Sequence, residues 1–300
     1  MIIGKQWQKY KFIERKKQFM NKISVVMPAY NAEEYISESI ESVLKQSFED
    51  FELIIVDDGS TDNTVEIIKS FKNNKIVLIQ KEHNGIVDSL NIGIKRATGK
   101  YIARMDADDI MHIDRLKIQH AIMEEEPSIT VCGTWMILFG EKVPTGRIIQ
   151  YGNGVVGYPV IQLLRGNFMF HPTVMMRKDF LDHHSLQYKN YPHAEDYQLW
   201  LEIAKKNGVF YIESQALLYY RVSETQVSRV KEKEQWETGL RIKQEILEYL
   251  IDQNKGNRPE IATLHNSLFA LKEQNWLAMD DIFSFFYTFF IKNKLKLTIG

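Results

Sequence analysis

Gly99-Lys100-Tyr101-Ile102-Ala103-Arg104-Met105-Asp106-Ala107-Asp108-Asp109 decides the reading of the chain. Gly99 supplies a turn, the run from Tyr101 to Met105 has the character of a buried strand, and it stops on a cluster of carboxylates. The same pattern stands earlier. Ile23-Ser24-Val25-Val26-Met27 reads as a strand ending at Pro28-Ala29-Tyr30-Asn31, and Phe51-Glu52-Leu53-Ile54-Ile55-Val56 as one ending at Asp57-Asp58-Gly59-Ser60. Ile36, Ile40, Val43 and Leu44 recur at helical spacing after the first strand, and Asn31 with Glu34 predicts a capping box there. Further helices are expected over 64–71, 86–97 and 114–124, with strands over 76–80 and 129–132. This alternation predicts an α/β fold, an open and mainly parallel sheet with helices on both faces. In such sheets ligands bind beyond the carboxyl ends of the strands, where both acidic clusters fall.

The 300 residues carry 38 Lys and Arg against 39 Asp and Glu, a formal charge of −1 that argues against a nucleic-acid partner. Cys132 is the one cysteine, which excludes an internal disulfide or a thiolate metal cluster and fits a reducing compartment. The start of the chain lacks the apolar core of a secretory signal. It holds Lys5, Lys9, Lys11, Arg15, Lys16, Lys17 and Lys22 against Glu14, a local net of +6, with Trp7, Tyr10 and Phe12 interleaved. A helix lying on an anionic surface and a solvated leading helix both suit that segment. Residues 282–291 are almost wholly apolar and aromatic, too short for a bilayer span, which takes about 20 residues. Lys292, Lys294 and Lys296 follow, so an interfacial anchor and a helix packed on the main domain both remain open.

The glycines and prolines between Gly140 and Pro159 mark either an active-site loop or a connection between halves. Residues 168–176 look like buried strand material broken at Pro172, a helix is expected from near Asp196, and short strands over 209–212 and 216–220. From Lys231 the chain reads as helical, with a joint at Gly256 and Pro259.

No G-x-G-x-x-G follows the first strand and no P-loop occurs, so dinucleotide redox chemistry and P-loop hydrolysis fit poorly. Asp106 and Asp108 suit a hard divalent cation, Mg2+ or Mn2+, with positions left for phosphate and water. The bland alternative is a solvated turn, with Asp109 and Asp114 favouring a helix start. Asp57 suits a nucleobase imide N–H with Tyr30 over the ring, although Asp58-Gly59-Ser60-Thr61 also suits a plain turn.

Residues 25–31, 56–64 and 91–109, in this order and spacing, resemble glycosyltransferase family 2, the nucleotide-sugar enzymes of GT-A fold. The likeness runs from about Ile23 to Tyr220. Phe170-His171-Pro172-Thr173-Val174-Met175 and Glu195-Asp196-Tyr197-Gln198-Leu199-Trp200 resemble later blocks of bacterial members that build surface polysaccharides and lipooligosaccharides. The resemblance implies a GT-A domain over 23–222 (donor half 23–134, acceptor half 135–222); composition and helical pattern set off a basic helical segment over 1–22 before it and a helical extension over 223–300 after it. It implies a UDP-sugar donor, with Asp57 contacting uracil, Asp58 beside it, and Pro28, Tyr30 and Glu34 near base and ribose. Asp106 and Asp108, flanking Ala107, match the metal-binding D-x-D for Mn2+ or Mg2+, with Asp109 in support. Asp196 matches the catalytic base, and Glu195 an orienting or acceptor-contacting neighbour. His171 either meets the donor diphosphate or metal, or bonds near Asp196; Arg104 and Arg177 either offset phosphate charge or pair locally. Trp135 and Trp200 suit sugar stacking or core packing.

The implied reaction is an inverting transfer to a glycan or glycolipid hydroxyl, forming a β-linkage in bacterial surface polysaccharide biosynthesis. The implied place is cytoplasmic, with peripheral contact at the inner membrane, and a homo-oligomer is left open. The alternative is a weak or inactive relative that binds nucleotide-sugar or glycan. A nucleotidyltransferase would show a Gly-rich basic loop after the first strand, and a hydrolase would release sugar to water.

Overall fold

Each central strand is apolar along its length because both faces of the sheet are covered. In β1 (Ile23–Ala29), Val26 joins the core of one layer, and Val25 and Met27 join that of the other. In β2 (Phe51–Asp57), Ile54 and Val56 go with Val26, Leu53 and Ile55 with Val25. A two-residue alternation that is apolar on both sides is what a sheet between helical layers requires. The computed structural model describes residues 22–141, 143–144, 146–223, 231–256 and 258–293; the basic segment over 1–21, and Lys294 and Lys296, lie outside them.

After β1 come α1 (Ile36–Leu44), β2, α2 (Thr64–Ser70), β3 (Ile76–Gln80), α3 (Ile86–Arg96) and β4 (Tyr101–Arg104). The chain continues through β5 (Ile110–Met111), α4 (Arg115–Glu125), β6 (Ile129–Gly140), β7 (Arg147–Ile149), β8 (Gly154–Val155) and α5 (Pro159–Arg165). A 3-10 turn (His171–Thr173), β9 (Met175–Arg177), α6 (Lys178–His183), α7 (Glu195–Lys205) and β10 (Val209–Val222) follow. Among the described residues, α8 (Glu232–Asn254), α9 (Glu260–Glu273) and α10 (Met279–Lys292) come last.

The sheet runs β3-β2-β1-β4-β9-β6-β10-β5, with β7 on β6 and β8 on β10. The mainly parallel sheet expected from the sequence is found from β3 to β4 and between β6 and β10; β9 lies antiparallel to both β4 and β6, so the whole is mixed. Met175 pairs with Ala103 and Arg177 with Tyr101. The chain therefore enters β9 at the carboxyl end of β4, and His171, in the turn just before, belongs to that end. After β3 the chain crosses to the other side of β1. This reversal of strand order opens a crevice at the carboxyl ends of β1 and β4.

Three local expectations need correction. α1 begins at Ile36 with Tyr35 as its cap residue and no side-chain cap, so there is no capping box from Asn31 and Glu34. Asn31 instead takes φ +46°, a conformation asparagine tolerates, and laces its loop to the one after β2. Its N–H donates to Ser60 Oγ at 2.9 Å, and its Oδ1 accepts from the Thr61 N–H at 2.9 Å. Secondly, residues 209–212 and 216–220 form one strand, because β10 absorbs Ser214 and Gln215 in a register shift and goes on pairing with β6. Thirdly, β6 continues to Gly140 for the same reason, well past residue 132.

The aromatic tail packs. Ile282, Phe283, Phe286 and Phe290 of α10 are buried, and α10 lies against α5, as do α7 and α8. Each such side chain contributes about 1.5–3 kcal/mol on burial, which accounts for the composition of 282–291 by core formation. No helix among the described residues is long and apolar enough to cross a membrane.

Gly99 sets how closely the turn before β4 approaches β1. A Cβ there would meet the Ser24 nitrogen at 2.6 Å and the Ile23 carbonyl carbon at 2.8 Å, and the Gly99 N–H donates to Ser24 Oγ at 2.9 Å. Gly99→Ala is expected to lower the unfolding free energy by about 2 kcal/mol in urea titrations. A loss under about 0.5 kcal/mol would show that the backbones do not need this approach.

Candidate active site

The loops beyond β1, β2 and β3 form one side. Asp57 is the buried last residue of β2, with Oδ1 accepting the Ser60 N–H at 3.3 Å. Asp58 is buried too, and both its oxygens are engaged within the protein. Lys81 pairs with it, the Asn84 and Gly85 N–H groups donate to it at 2.9 Å each, and His83 Nδ1 lies 2.9 Å away. Burial alone would raise this carboxyl, but Lys81 and the two N–H groups outweigh it and hold it below the usual range. Asp58 thus fastens the 81–85 loop. That loop presents His83 as a stacking partner for the half-exposed Tyr30, ring centroids 4.3 Å apart. Pro28 is partly buried opposite Val56, and Glu34 is exposed beside the Tyr35 hydroxyl, whose pKa its hydrogen bond raises.

Beyond β4 the acidic cluster closes up. Asp106, Asp108 and Asp109 each place an oxygen within 4.8 Å of the others. Asp109 is wholly buried; one oxygen accepts the Arg221 N–H at 2.9 Å, and the other has no hydrogen-bond partner among the described residues. The loop is pinned from two sides. Ser39 Oγ of α1 lies 2.8 and 2.7 Å from the carbonyl oxygens of Ala107 and Asp109, and Arg221 Nε donates to the Asp108 carbonyl at 2.7 Å. Burial and the Asp106 charge push Asp108 up to about 6, and burial with both neighbours pushes Asp109 well above its ordinary value. Oxygen-only donors, an unpartnered buried oxygen and three clustered carboxylates, of which Arg104 pairs with one, fit a hard divalent cation, and no histidine or cysteine among the described residues joins the group.

The start of α7 forms the third part. Asp196 Oδ1 accepts the Tyr197 N–H at 2.7 Å, and Oδ2 accepts from Asn167 Nδ2 at 2.8 Å. Burial and the Asp196 charge raise Glu195 to about 7; burial also raises Asp196, with Asn167 opposing. His171 is buried, its Nε2 2.7 Å from the Tyr188 hydroxyl and its Nδ1 3.9 Å from Glu195 Oε1. Burial and the charge of Arg104 push it well below its ordinary value, so the ring is neutral. His171 thus stands with Nδ1 toward Glu195 and Nε2 on Tyr188.

Arg104 joins these parts. It is buried at the end of β4 and paired with Asp106. Burial works against its charge, but Asp106 outweighs it and holds the guanidinium above its ordinary value. That charge acts on Asp106, Asp108 and Asp109 and equally on Glu195, Asp196 and His171. Arg115 braces it from behind, donating to the carbonyls of Arg104 at 2.9 Å and Val174 at 3.2 Å.

Arg177 is elsewhere. Antiparallel β9 carries it to the amino end of β4, where it donates to the Ile129 carbonyl at 3.1 Å and the Met123 carbonyl at 2.9 Å, so it does not offset phosphate charge. Trp200 is fully buried and belongs to the core, not to a sugar platform. Trp135 is partly buried and donates to the Gly152 carbonyl at 2.9 Å. Asn167, Tyr188 and Arg221 were not visible in the sequence as site residues. His83 had one signal, its place just beyond the end of β3.

With this geometry in hand, the comparisons with known proteins define the class. Residues 24–185, more than half of the chain, match the model of glycosyl transferase family 2, and the chain belongs to that family. An uncharacterized glycosyltransferase of Haemophilus influenzae is 35% identical over 242 residues, 77% of this chain and 75% of the relative. The Escherichia coli protein UDP-Glc:alpha-D-GlcNAc-diphosphoundecaprenol beta-1,3-glucosyltransferase WfgD is 33% identical over 220 residues, 72% of this chain and 84% of its own. Among solved structures, S. aureus TarS 1-349 in complex with UDP superposes with a TM-score of 0.58 at 25% identity, over 75% of this chain and 65% of that one. The chain thus spans about two thirds of that structure and is a glycosyltransferase of mixed α/β fold.

Glu195 gives a stability signature. Its carboxyl is raised from 4.5 to about 7 in the folded protein, so its contribution is fully present below pH 4.5 and is lost as pH rises through about 7. Glu195→Gln is expected to flatten the fall in unfolding free energy between about pH 5 and pH 8 in urea titrations. Parallel pH curves for the two proteins would refute the raised carboxyl.

Proposed function

We propose that this glycosyltransferase moves a sugar from a UDP-sugar to a hydroxyl of a glycan or glycolipid acceptor, with inversion, in the making of bacterial surface polysaccharide. One observation carries the reading: the Asp106, Asp108, Asp109 cluster and the Glu195–Asp196 pair lie in the field of one buried guanidinium, that of Arg104, which is paired with Asp106. Asp57 accepts from the uracil imide, and Tyr30 on His83 covers the base. Asp106 and Asp108, with Asp109, hold Mn2+ or Mg2+, which when bound supplies positive charge against the departing diphosphate. Asp196 takes the proton of the acceptor hydroxyl as it attacks the anomeric carbon from the face opposite the diphosphate. An α-linked donor then yields a β-linkage. Glu195, near half protonation at neutral pH, offers a hydrogen-bond donor beside the base. His171, neutral, adds no charge that would compete for either carboxylate group. The activity in the name of the E. coli relative, transfer from UDP-Glc to a diphosphoundecaprenol-linked GlcNAc, supports this donor and acceptor class; the place proposed with it is the cytoplasm, with peripheral contact at the inner membrane. The donor half is read as 23–134 and the acceptor half as 135–222.

Asp196→Asn is expected to bind UDP as the parent does and to lose transfer by about a hundredfold or more in a UDP-release assay. Near-parental turnover would remove Asp196 as the base. Asp108→Asn is expected to abolish the extra rise in melting temperature that Mn2+ adds to UDP, while melting higher than the parent in chelator, because one buried like charge is gone. An undiminished Mn2+ increment would count against the metal site.

A further inference from the structure

We propose that Asn167 is a positioning residue for Asp196, holding the base carboxylate in one plane from outside its own helix. The proposal rests on the reading of Asp196 as the base. Asn167 follows the end of α5, and its Oδ1 accepts the Met169 N–H at 3.1 Å. That bond settles which end of the amide is oxygen, so the atom 2.8 Å from Asp196 Oδ2 is a donor nitrogen. Asp196 Oδ1 is meanwhile tied to the Tyr197 N–H at 2.7 Å. One anchor on each oxygen fixes the carboxylate plane and leaves a lone pair on each for an incoming hydroxyl. A second strut keeps the anchor in register, since the Tyr197 hydroxyl donates to the Leu163 carbonyl in α5. Asn167 therefore cannot move away from Asp196 unless the end of α5 leaves the start of α7.

The surroundings give the bond a purpose. Asp196 has Glu195 beside it on α7, Arg104 facing it from β4 with Asp106 beyond, and Tyr188 and the neutral His171 from the segments between; Tyr151 acts on the adjoining Tyr197. Burial disfavours the ionised base. Besides Arg104, Asn167 is the side chain that favours it, and it does so without adding a charge that would draw the donor phosphates.

The test compares pH–rate profiles of kcat/KM for the parent, Asn167→Asp and Asn167→Ala, with Asp196→Asn alongside, and UDP binding by calorimetry for all of them. Asn167→Asp keeps the shape and exchanges the donor for an acceptor. It is expected to shift the acid limb about one pH unit or more upward and to lower turnover about tenfold at pH 7, with partial recovery in alkali and unchanged UDP affinity. Asn167→Ala is expected to shift the limb in the same direction by less, and supplies the readout should the Asp variant fail to fold. A parental acid limb in the folded variants, with Asp196→Asn inactive, would overturn the role of Asn167 and leave the base in place. An active Asp196→Asn would overturn the base itself.

Discussion

One buried guanidinium holds the functional edge of this protein together. Arg104 is out of water, where a lone charge costs several kcal/mol, and it faces the Asp106 cluster on one side and the Glu195–Asp196 pair on the other. The fold serves this contact. β4 ends at Arg104, Arg115 grips its carbonyl, and antiparallel β9 sets out from the same edge, so that His171, in the turn before it, stands at that edge.

Much of the donor side was legible from sequence, for a physical reason. A sheet covered on both faces writes its strands as unbroken apolar runs, and a strand that ends on a carboxylate announces a polar edge. The elements from β1 to β4 therefore emerged with small shifts at their ends. Misreadings arose where a distant partner overrode a local signal. Asn31 looks like a cap, but the loop around Ser60 and Thr61 claims its side chain and backbone. Glu213-Ser214-Gln215 looks like a break, but β6 offers enough pairing on either side to carry the strand across it. Arg177 looks like a phosphate ligand until the direction of β9 is known.

The rest of the site was less legible because its decisive contacts join residues far apart in sequence. Asn167 and Asp196 are 29 positions apart, and Asp109 and Arg221 are 112 apart. An asparagine in a loop has no periodicity or spacing that would single it out. The aromatic tail shows the converse. Its composition suited two environments equally, and only the buried face of α10 against α5 decides in favour of packing.

That packing has an evolutionary corollary. α5 is wedged among α7, α8 and α10, and it leads into Asn167, which touches Asp196. The last helix thus presses, through one intermediary, on the carboxylate proposed above to collect a proton. Drift in the size of its phenylalanines can retune turnover while every reacting group stays the same, giving selection a dial remote from the chemistry it adjusts.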